Sequence, residues 1–204
     1  MKPGIIDYGG GNLRSVANAL RALGQDPVIV AKPEDVADAT HLILPGQGAF
    51  GDCLERLDGR GLLDFLKGWI GEDRPYFGIC VGYQILFDSS EEAPEAKGLG
   101  IIPGRVVRFD AEPGLKIPHM GWNSAVLAGA ERGAWSGLGD EPWFYYVHSY
   151  FPVPEDGAVI AANTTYGTQT FAAAVGRSNL LASQFHPEKS QDTGLKLIGN
   201  FLGI

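Results

Sequence analysis

Phe77-Gly78-Ile79-Cys80-Val81-Gly82-Tyr83-Gln84 is the stretch that decides the fold of this chain. The apolar run from Pro75 to Ile79 reads as a buried strand, and Tyr83-Gln84-Ile85-Leu86-Phe87 reads as a helix that follows at once. Strand, sharp turn and helix with a cysteine at the turn is the arrangement of a nucleophile elbow. Gly78 and Gly82 lie two residues before and two after that cysteine. Small residues there let strand and helix backbones close on each other, so that the cysteine is held in a strained, exposed position. The new helix would aim its free N–H groups and positive end at the sulfur, favouring thiolate over thiol. A buried structural cysteine is the competing reading, and the flanking glycines argue against it.

Upstream of the elbow the chain alternates strand and helix. Gly4-Ile5-Ile6-Asp7 is a short strand, and Tyr8-Gly9-Gly10-Gly11-Asn12 is a turn. The helix after it carries Leu13, Val16, Ala17, Leu20 and Leu23 on one face and stops at Gly24. The triple glycine lacks both the G-x-G-x-x-G spacing and the P-loop lysine, so it reads as a tight turn rather than a nucleotide site. Pro27-Val28-Ile29-Val30 and His41-Leu42-Ile43-Leu44 are further strands, with a short helix from Pro33 between them. The third strand runs into Pro45-Gly46-Gln47-Gly48, beyond the carboxyl end of a strand, where an α/β sheet places ligands. Glycines in that loop expose backbone N–H groups able to hold an oxyanion. Helices are expected around Asp52 to Leu57 and Leu62 to Ile70. This alternation implies a mainly parallel sheet covered on both faces.

Downstream, Ser89 to Lys97 is a polar acidic loop, and then the character changes. Ile102 to Phe109, Leu115 to Pro118, Trp143 to Val147, Ala158 to Asn163, Gln169 to Val175 and Leu180 to Ser183 read as strands. They form a mixed or antiparallel extension of the same core. A last helix from about Asp192 carries Leu195, Ile198, Phe201 and Leu202 on its apolar side. The expected fold is therefore α/β, with a mainly parallel central sheet flanked by helices and a β-rich second half, organised as one domain over 1–204.

A thiol nucleophile needs a base, and the base needs a carboxylate to fix its tautomer. His186-Pro187-Glu188 follows the final strand and supplies both. His148, in Val147-His148-Ser149-Tyr150, also stands at a strand end and is the rival base. Composition narrows the class. Of 204 residues, 45% are apolar, enough for a sizeable core, and a net charge of −8 argues against broad contact with nucleic acid. Two cysteines, Cys53 and Cys80, are too few for a disulfide framework; Cys53 falls in a helical stretch and reads as a small core residue. No signal-peptide region opens the chain and no stretch is long enough to cross a membrane, so a reduced cytoplasmic protein is expected.

Gly-Ile-Cys-Val-Gly-Tyr-Gln at Gly78 to Gln84, together with the late His-Pro-Glu, resembles the class I (triad-type) glutamine amidotransferases. Four further stretches narrow the resemblance to the glutaminase subunits that feed a cyclase in histidine biosynthesis. They are Ile-Asp-Tyr-Gly-x-Gly-Asn-Leu-x-Ser at Ile6 to Ser15, Pro-Gly-x-Gly at Pro45 to Gly48, Pro-His-Met-Gly-Trp-Asn at Pro118 to Asn123, and His-Ser-Tyr at His148 to Tyr150. The likeness spans nearly the whole chain. Val81 stands where Leu is usual, Tyr83 where Met is usual, and Gln47 where an apolar residue is common.

The resemblance implies that Cys80 attacks the side-chain amide of glutamine, with His186 as acid and base and Glu188 orienting it. It implies an oxyanion site of the Val81 N–H and an N–H of the Gly46-Gln47-Gly48 loop. Gln84 and the backbone of Ser149 and Tyr150 would hold the amino-acid end of the substrate. No cofactor and no metal are implied. The implied partner is a (β/α)₈-barrel cyclase in a heterodimer, met through Asn12, Arg14, Met120, Trp122 and Lys189. Trp122 reads equally as a core tryptophan, and Lys189 as a surface lysine. Turnover is expected to be weak alone and strong with the partner loaded. The alternatives are an amidotransferase serving another synthase, a cysteine hydrolase of related fold, and a non-catalytic subunit on the same scaffold.

Overall fold

The computed structural model describes residues 1–128 and 133–204. In chain order the first half comprises β1 (Pro3–Ile6), α1 (Leu13–Ala22), β2 (Val28–Val30), β3 (His41–Leu44), α2 (Phe50–Asp58), α3 (Leu62–Gly71), β4 (Tyr76–Ile79) and α4 (Val81–Gln84). The second half comprises β5 (Ser89–Ser90), β6 (Gly104–Arg108), β7 (His119–Ser124), β8 (Val126–Leu127), β9 (Trp143–His148), β10 (Tyr150–Pro154), β11 (Ile160–Tyr166), β12 (Gln169–Arg177), β13 (Leu180–Ser183) and α5 (Gln191–Leu202). Eight strands form the main sheet in the order β2-β1-β3-β4-β13-β12-β11-β8. From β2 through β13 the pairings are parallel; from β13 outward they are antiparallel. The mixed sheet expected from the change of character after residue 100 is thus present.

Local sequence explains most of these elements. Asn12 caps α1, its side chain accepting the Ser15 N–H at 3.3 Å, and Val16, Ala17 and Leu20 bury one face against the sheet. The central strands β3 and β4 are buried along nearly their whole length, as their unbroken apolar runs require. In the second half, Phe109, Tyr146, Phe151, Tyr166 and Phe171 pack an aromatic core around His119 and His148.

Three expectations fail, each for a physical reason. The helix after Cys80 is only four residues long and does not continue to Phe87. Leu86 and Phe87 close tighter turns onto Tyr83 and Gln84, and the carbonyls of Ile85, Leu86 and Phe87 accept from Leu99, from Ile101 and Ile102, and from Gly100. Tertiary hydrogen bonds thereby replace helical ones. Leu115 to Pro118 is not a strand; the ribbon strand β7 starts at His119, just after Pro118. Conversely, β10 contains Pro152 and Pro154 and was not anticipated. It lies at the edge of a three-stranded sheet, β10-β6-β5, where a residue without an N–H costs no ladder bond. β7 and β9 form a separate two-stranded ribbon.

Close backbone approach at the elbow demands glycine. A Cβ on Gly82 would lie 2.2 Å from the Leu44 carbonyl oxygen, and one on Gly78 would lie 2.4 Å from the Gly82 oxygen. Gly82→Ala is expected to lower unfolding stability by about 1–3 kcal/mol. Gly68→Ala, exposed within α3 with open space around it, is expected to raise it by about 0.5–1 kcal/mol. Urea unfolding of the two variants measures the contrast.

Candidate active site

Parallel pairing of β4 with β13 sets Ile79 opposite Ser183, so the segments that leave the two strands emerge side by side. Cys80 is the first residue beyond β4. Its backbone has φ +54° and ψ −107°, a strained conformation for a residue with a side chain, and its N–H donates to the Ser183 carbonyl at 2.8 Å. Contrary to the expectation of an exposed thiol, only 6% of Cys80 is accessible; the sulfur is reached from a cavity. The one-turn α4 also carries less dipole than a full helix. A side chain adds polarity instead: the Gln184 amide, in β13's exit segment, donates to the sulfur at 3.6 Å.

His186 follows in the same exit segment. Its N–H donates to the Tyr145 carbonyl at 2.9 Å, and its own carbonyl accepts from the Ser190 hydroxyl at 2.7 Å. Nδ1 lies 2.9 Å from Glu188 Oε1, with both side chains 1% exposed. A carboxylate can only accept, so Nδ1 carries the proton of that bond and Nε2 is the nitrogen free for chemistry. Nε2 has no hydrogen-bond partner, and neither does Glu188 Oε2. Burial disfavours charge on this imidazole, but Cys80 and Glu188 outweigh it and raise its pKa to about 10. His148 lines the same cavity with both nitrogens committed. Nδ1 donates to the Tyr150 carbonyl at 2.8 Å, and Nε2 pairs with His119 Nδ1 at 3.0 Å. Burial lowers its pKa to about 3, so it is a neutral structural histidine.

The cavity, about 390 Å³, is lined by Cys80, Val81, His186, Gly46, Gln47, Gly48, Gln84, Glu92, Pro118 and Val147 to Tyr150. A larger one, about 710 Å³, lies elsewhere, around Phe201 and Arg177, and none of the expected site residues line it. Gly46 is wedged over the elbow: a Cβ there would meet the Val81 and Gly82 nitrogens at 2.7 and 2.5 Å. The Val81 N–H stands in the first turn of α4, where no intrahelical acceptor exists. The Gln47 N–H donates to the Tyr8 hydroxyl at 3.3 Å. The Gln84 amide nitrogen donates to the Tyr150 carbonyl at 3.0 Å and to Gln184 at 3.1 Å, so Gln84 has only its oxygen to offer a ligand. The Tyr150 carbonyl, already accepting from His148 and Gln84, is committed within the protein.

Two lining or contacting residues escaped the sequence reading. Glu92 is the only carboxylate on the cavity wall among the described residues. One oxygen accepts the Phe50 N–H at 2.7 Å, at the start of α2. Nothing in its acidic loop distinguishes it from Glu91 or Glu95. Gln184 adjoins the His-Pro-Glu motif, and only that adjacency could have flagged it.

The five residues expected to meet a partner divide. Met120 and Trp122 are 62% and 45% exposed, so Trp122 is not a core residue. Trp122 stands edge-on to Tyr145, and the Lys189 ammonium lies 6.0 Å from the Tyr145 ring. These residues form one surface beside the His186 turn. Arg14 is exposed on α1, whereas the Asn12 side chain caps that helix.

The family described as "Glutamine amidotransferase class-I" matches residues 4–203. The imidazole glycerol phosphate synthase subunit HisH of Thermosynechococcus vestitus is 48% identical over 200 residues, 98% of this chain and 95% of that protein. Its namesake from a Synechocystis species is 48% identical over 198 residues, 97% of this chain and 94% of that one. Among solved structures, PurLQS from Thermotoga maritima overlays with a TM-score of 0.77 at 19% identity, covering 99% of this chain and 97% of that one. A glutamine amidotransferase overlays at 0.73 with 24% identity, covering 99% of each. At these identities the two structures speak for the fold alone. The elbow, the fold and the full-length matches agree: the chain belongs to the class-I glutamine amidotransferases and, within them, to the family of imidazole glycerol phosphate synthase HisH subunits.

Proposed function

We propose that the chain is the glutaminase subunit of imidazole glycerol phosphate synthase, hydrolysing glutamine to glutamate and ammonia for histidine biosynthesis. The observation that carries this reading is Cys80 and His186 lining one cavity, with Glu188 bonded to the His186 Nδ1 and Glu92 also on the cavity wall.

The Cys80 thiolate attacks the side-chain amide carbon of glutamine. Negative charge on the carbonyl oxygen falls to the Val81 N–H and an N–H of the Gly46-Gln47-Gly48 loop; one such donor is typically worth about 10²–10³ in rate. The His186 imidazolium, charged at neutrality, gives its Nε2 proton to the departing nitrogen, and ammonia leaves behind a thioester. The neutral imidazole then takes a proton from water, whose oxygen attacks the thioester and releases glutamate. Glu188 holds His186 in orientation throughout. The α-ammonium of glutamine pairs with Glu92, aided by the Gln84 oxygen, and Ser149 and Tyr150 form the backbone wall at that end.

We infer that the ammonia passes to a (β/α)₈-barrel cyclase in a heterodimer. Support comes from the exposed Met120 and Trp122 beside Tyr145 and Lys189, since aromatic residues and Met are enriched at interfaces. Arg14 extends that surface in this reading, and Asn12 supports it from beneath by capping α1. One amidotransferase domain in the cytoplasm completes the proposal. The family match from 4 to 203 and two free cysteines favour it, and among the described residues no helix is long and apolar enough to cross a membrane.

Glutamine-dependent ammonia release tests the reading. Cys80→Ala is expected to abolish it while the chain stays folded; unchanged release would end the proposal. Glu92→Gln is expected to raise KM for glutamine at least about tenfold with a smaller change in kcat, the loss of one charged pairing. The pH profile follows from His186. Its proton is held through neutrality and lost as pH rises through about 10, so activity has its alkaline limb there. Glu188→Gln removes one of the groups that raise this value, and the limb is expected to move to lower pH. Trp122→Ala is expected to weaken association with the cyclase while leaving the isolated glutaminase rate unaltered.

A further inference from the structure

Gln184 follows the last strand of the main sheet, and its side chain is wholly buried. The triad leaves it without a task. Its amide nitrogen donates to the Cys80 sulfur at 3.6 Å, and its amide oxygen accepts from the Gln84 nitrogen at 3.1 Å. It is not on the cavity wall, so a bound substrate does not compete for it. Its backbone N–H donates to the Ala173 carbonyl at 2.8 Å, which ties the residue to β12. An amide has a donor end and an acceptor end of nearly equal size, so the surroundings must decide which end meets the sulfur.

The hydrogen bonds leave one answer. The Tyr150 carbonyl can only accept. Gln84 therefore turns its nitrogen to it, at 3.0 Å, and that nitrogen's other hydrogen points at Gln184. Gln184 can receive it only through oxygen, which leaves its own nitrogen facing Cys80. His148 holds the same carbonyl, donating from Nδ1 at 2.8 Å. Nε2 of this neutral ring must then accept from His119 Nδ1, at 3.0 Å, and His119 Nε2 from the Asn123 nitrogen, at 3.3 Å. Reversing the Gln84 amide would set oxygen against oxygen at Tyr150. Reversing that of Gln184 would set nitrogen against nitrogen, and either change leaves buried groups unpaired.

We propose that Gln184 is a further catalytic residue, its N–H supporting negative charge on the Cys80 sulfur, and that Gln84 is the positioning residue that keeps the amide turned that way. The inference rests on the glutaminase reading of the same site. A donor bonds about twice as strongly to an ionised acceptor as to a neutral one, so this N–H holds the sulfur best whenever it carries charge. It serves twice. It steadies the sulfur before attack on the amide carbon. When the thioester is hydrolysed, the C–S bond breaks, the electron pair returns to sulfur, and the same N–H meets that charge. Gln84 thereby has two tasks, its oxygen offered to the substrate and its nitrogen holding the donor behind the nucleophile.

Gln184→Met removes the N–H and keeps an unbranched side chain of similar length. Alkylation of Cys80 by iodoacetamide at neutral pH needs no glutamine, and is read on the Cys80 peptide because Cys53 is also a free thiol. Its rate is expected to fall at least about tenfold, the loss of one hydrogen bond to a charged group. For ammonia release, kcat is expected to fall by a similar factor with KM unchanged. A merely structural glutamine would lower thermal stability and leave alkylation of the folded protein as it was. An unaltered alkylation rate overturns the proposal, whatever happens to kcat. Should Gln184→Met not fold, Gln84→Leu decides. It frees the Gln184 amide to turn, and is expected to slow alkylation severalfold with no glutamine present, which a residue serving only to bind substrate would not do. An unaltered rate in that variant overturns the proposal. Absence of ammonia release from the unaltered chain under every condition would instead remove the glutaminase reading, and leave alkylation to judge the Gln184 donor by itself.

Discussion

The parallel ladder between β4 and β13 is the constraint on which the site depends. It registers Ile79 against Ser183, and Cys80, Gln184 and His186 all lie within three residues of that pair. A slip of one residue would turn every side chain on β13 to the other face of the sheet. The slip is prevented because Leu180 to Ser183 are buried along their whole length and the Cys80 N–H is bonded to the Ser183 carbonyl. Cys80 and Gln184 are 104 positions apart in sequence, yet touch in space. The chain therefore closes a long loop before its reactive groups meet, and the stabilisation must come from burying the two central strands.

That meeting is electrostatically costly, and the cost is placed where chemistry occurs. His186 and Glu188 form a pair sealed from solvent, yet one nitrogen and one oxygen of the pair remain without partners. Buried groups of this kind are normally satisfied. Here the unpartnered nitrogen is the one able to exchange protons with a substrate. The second histidine pair is arranged differently. His148 donates to a backbone carbonyl, accepts from His119, and is neutral because of its burial. One cavity thus holds a histidine that carries charge and another that stays neutral: at His186, Cys80 and then Glu188 outweigh burial, while His148 has neither beside it to offset its own burial.

The ribbon of β7 and β9 joins the cavity to the outer surface. Along β7 the side chains alternate: His119 is buried against the aromatic core, while Met120 and Trp122 face outward. On β9, Tyr145 pairs with Trp122 across the ribbon, and its carbonyl receives the His186 N–H. The same few residues therefore position the base and form the exposed face.

The sequence by itself determined the elements that short-range chemistry controls. Gly78, Cys80 and Gly82 fixed the elbow, because only glycine tolerates the contacts made there; the apolar runs at His41 to Leu44 and Pro75 to Ile79 fixed central strands; the Asn12 to Gly24 pattern fixed a capped amphipathic helix. It also offered Cys80, His186 and Glu188 as candidates, with His148 as the rival base. Tertiary structure decided the rest. It shortened α4, because loop N–H groups took the carbonyls that a longer helix would have used. It accepted a strand bearing Pro152 and Pro154, because that strand is an edge. It committed both nitrogens of His148 and left the His186 Nε2 without a partner, moved Glu92 from an anonymous acidic loop to the cavity wall, and set the Gln47 N–H on the Tyr8 hydroxyl. Each of these depends on which distant groups reach the same few ångströms, and no local pattern of residue types encodes that.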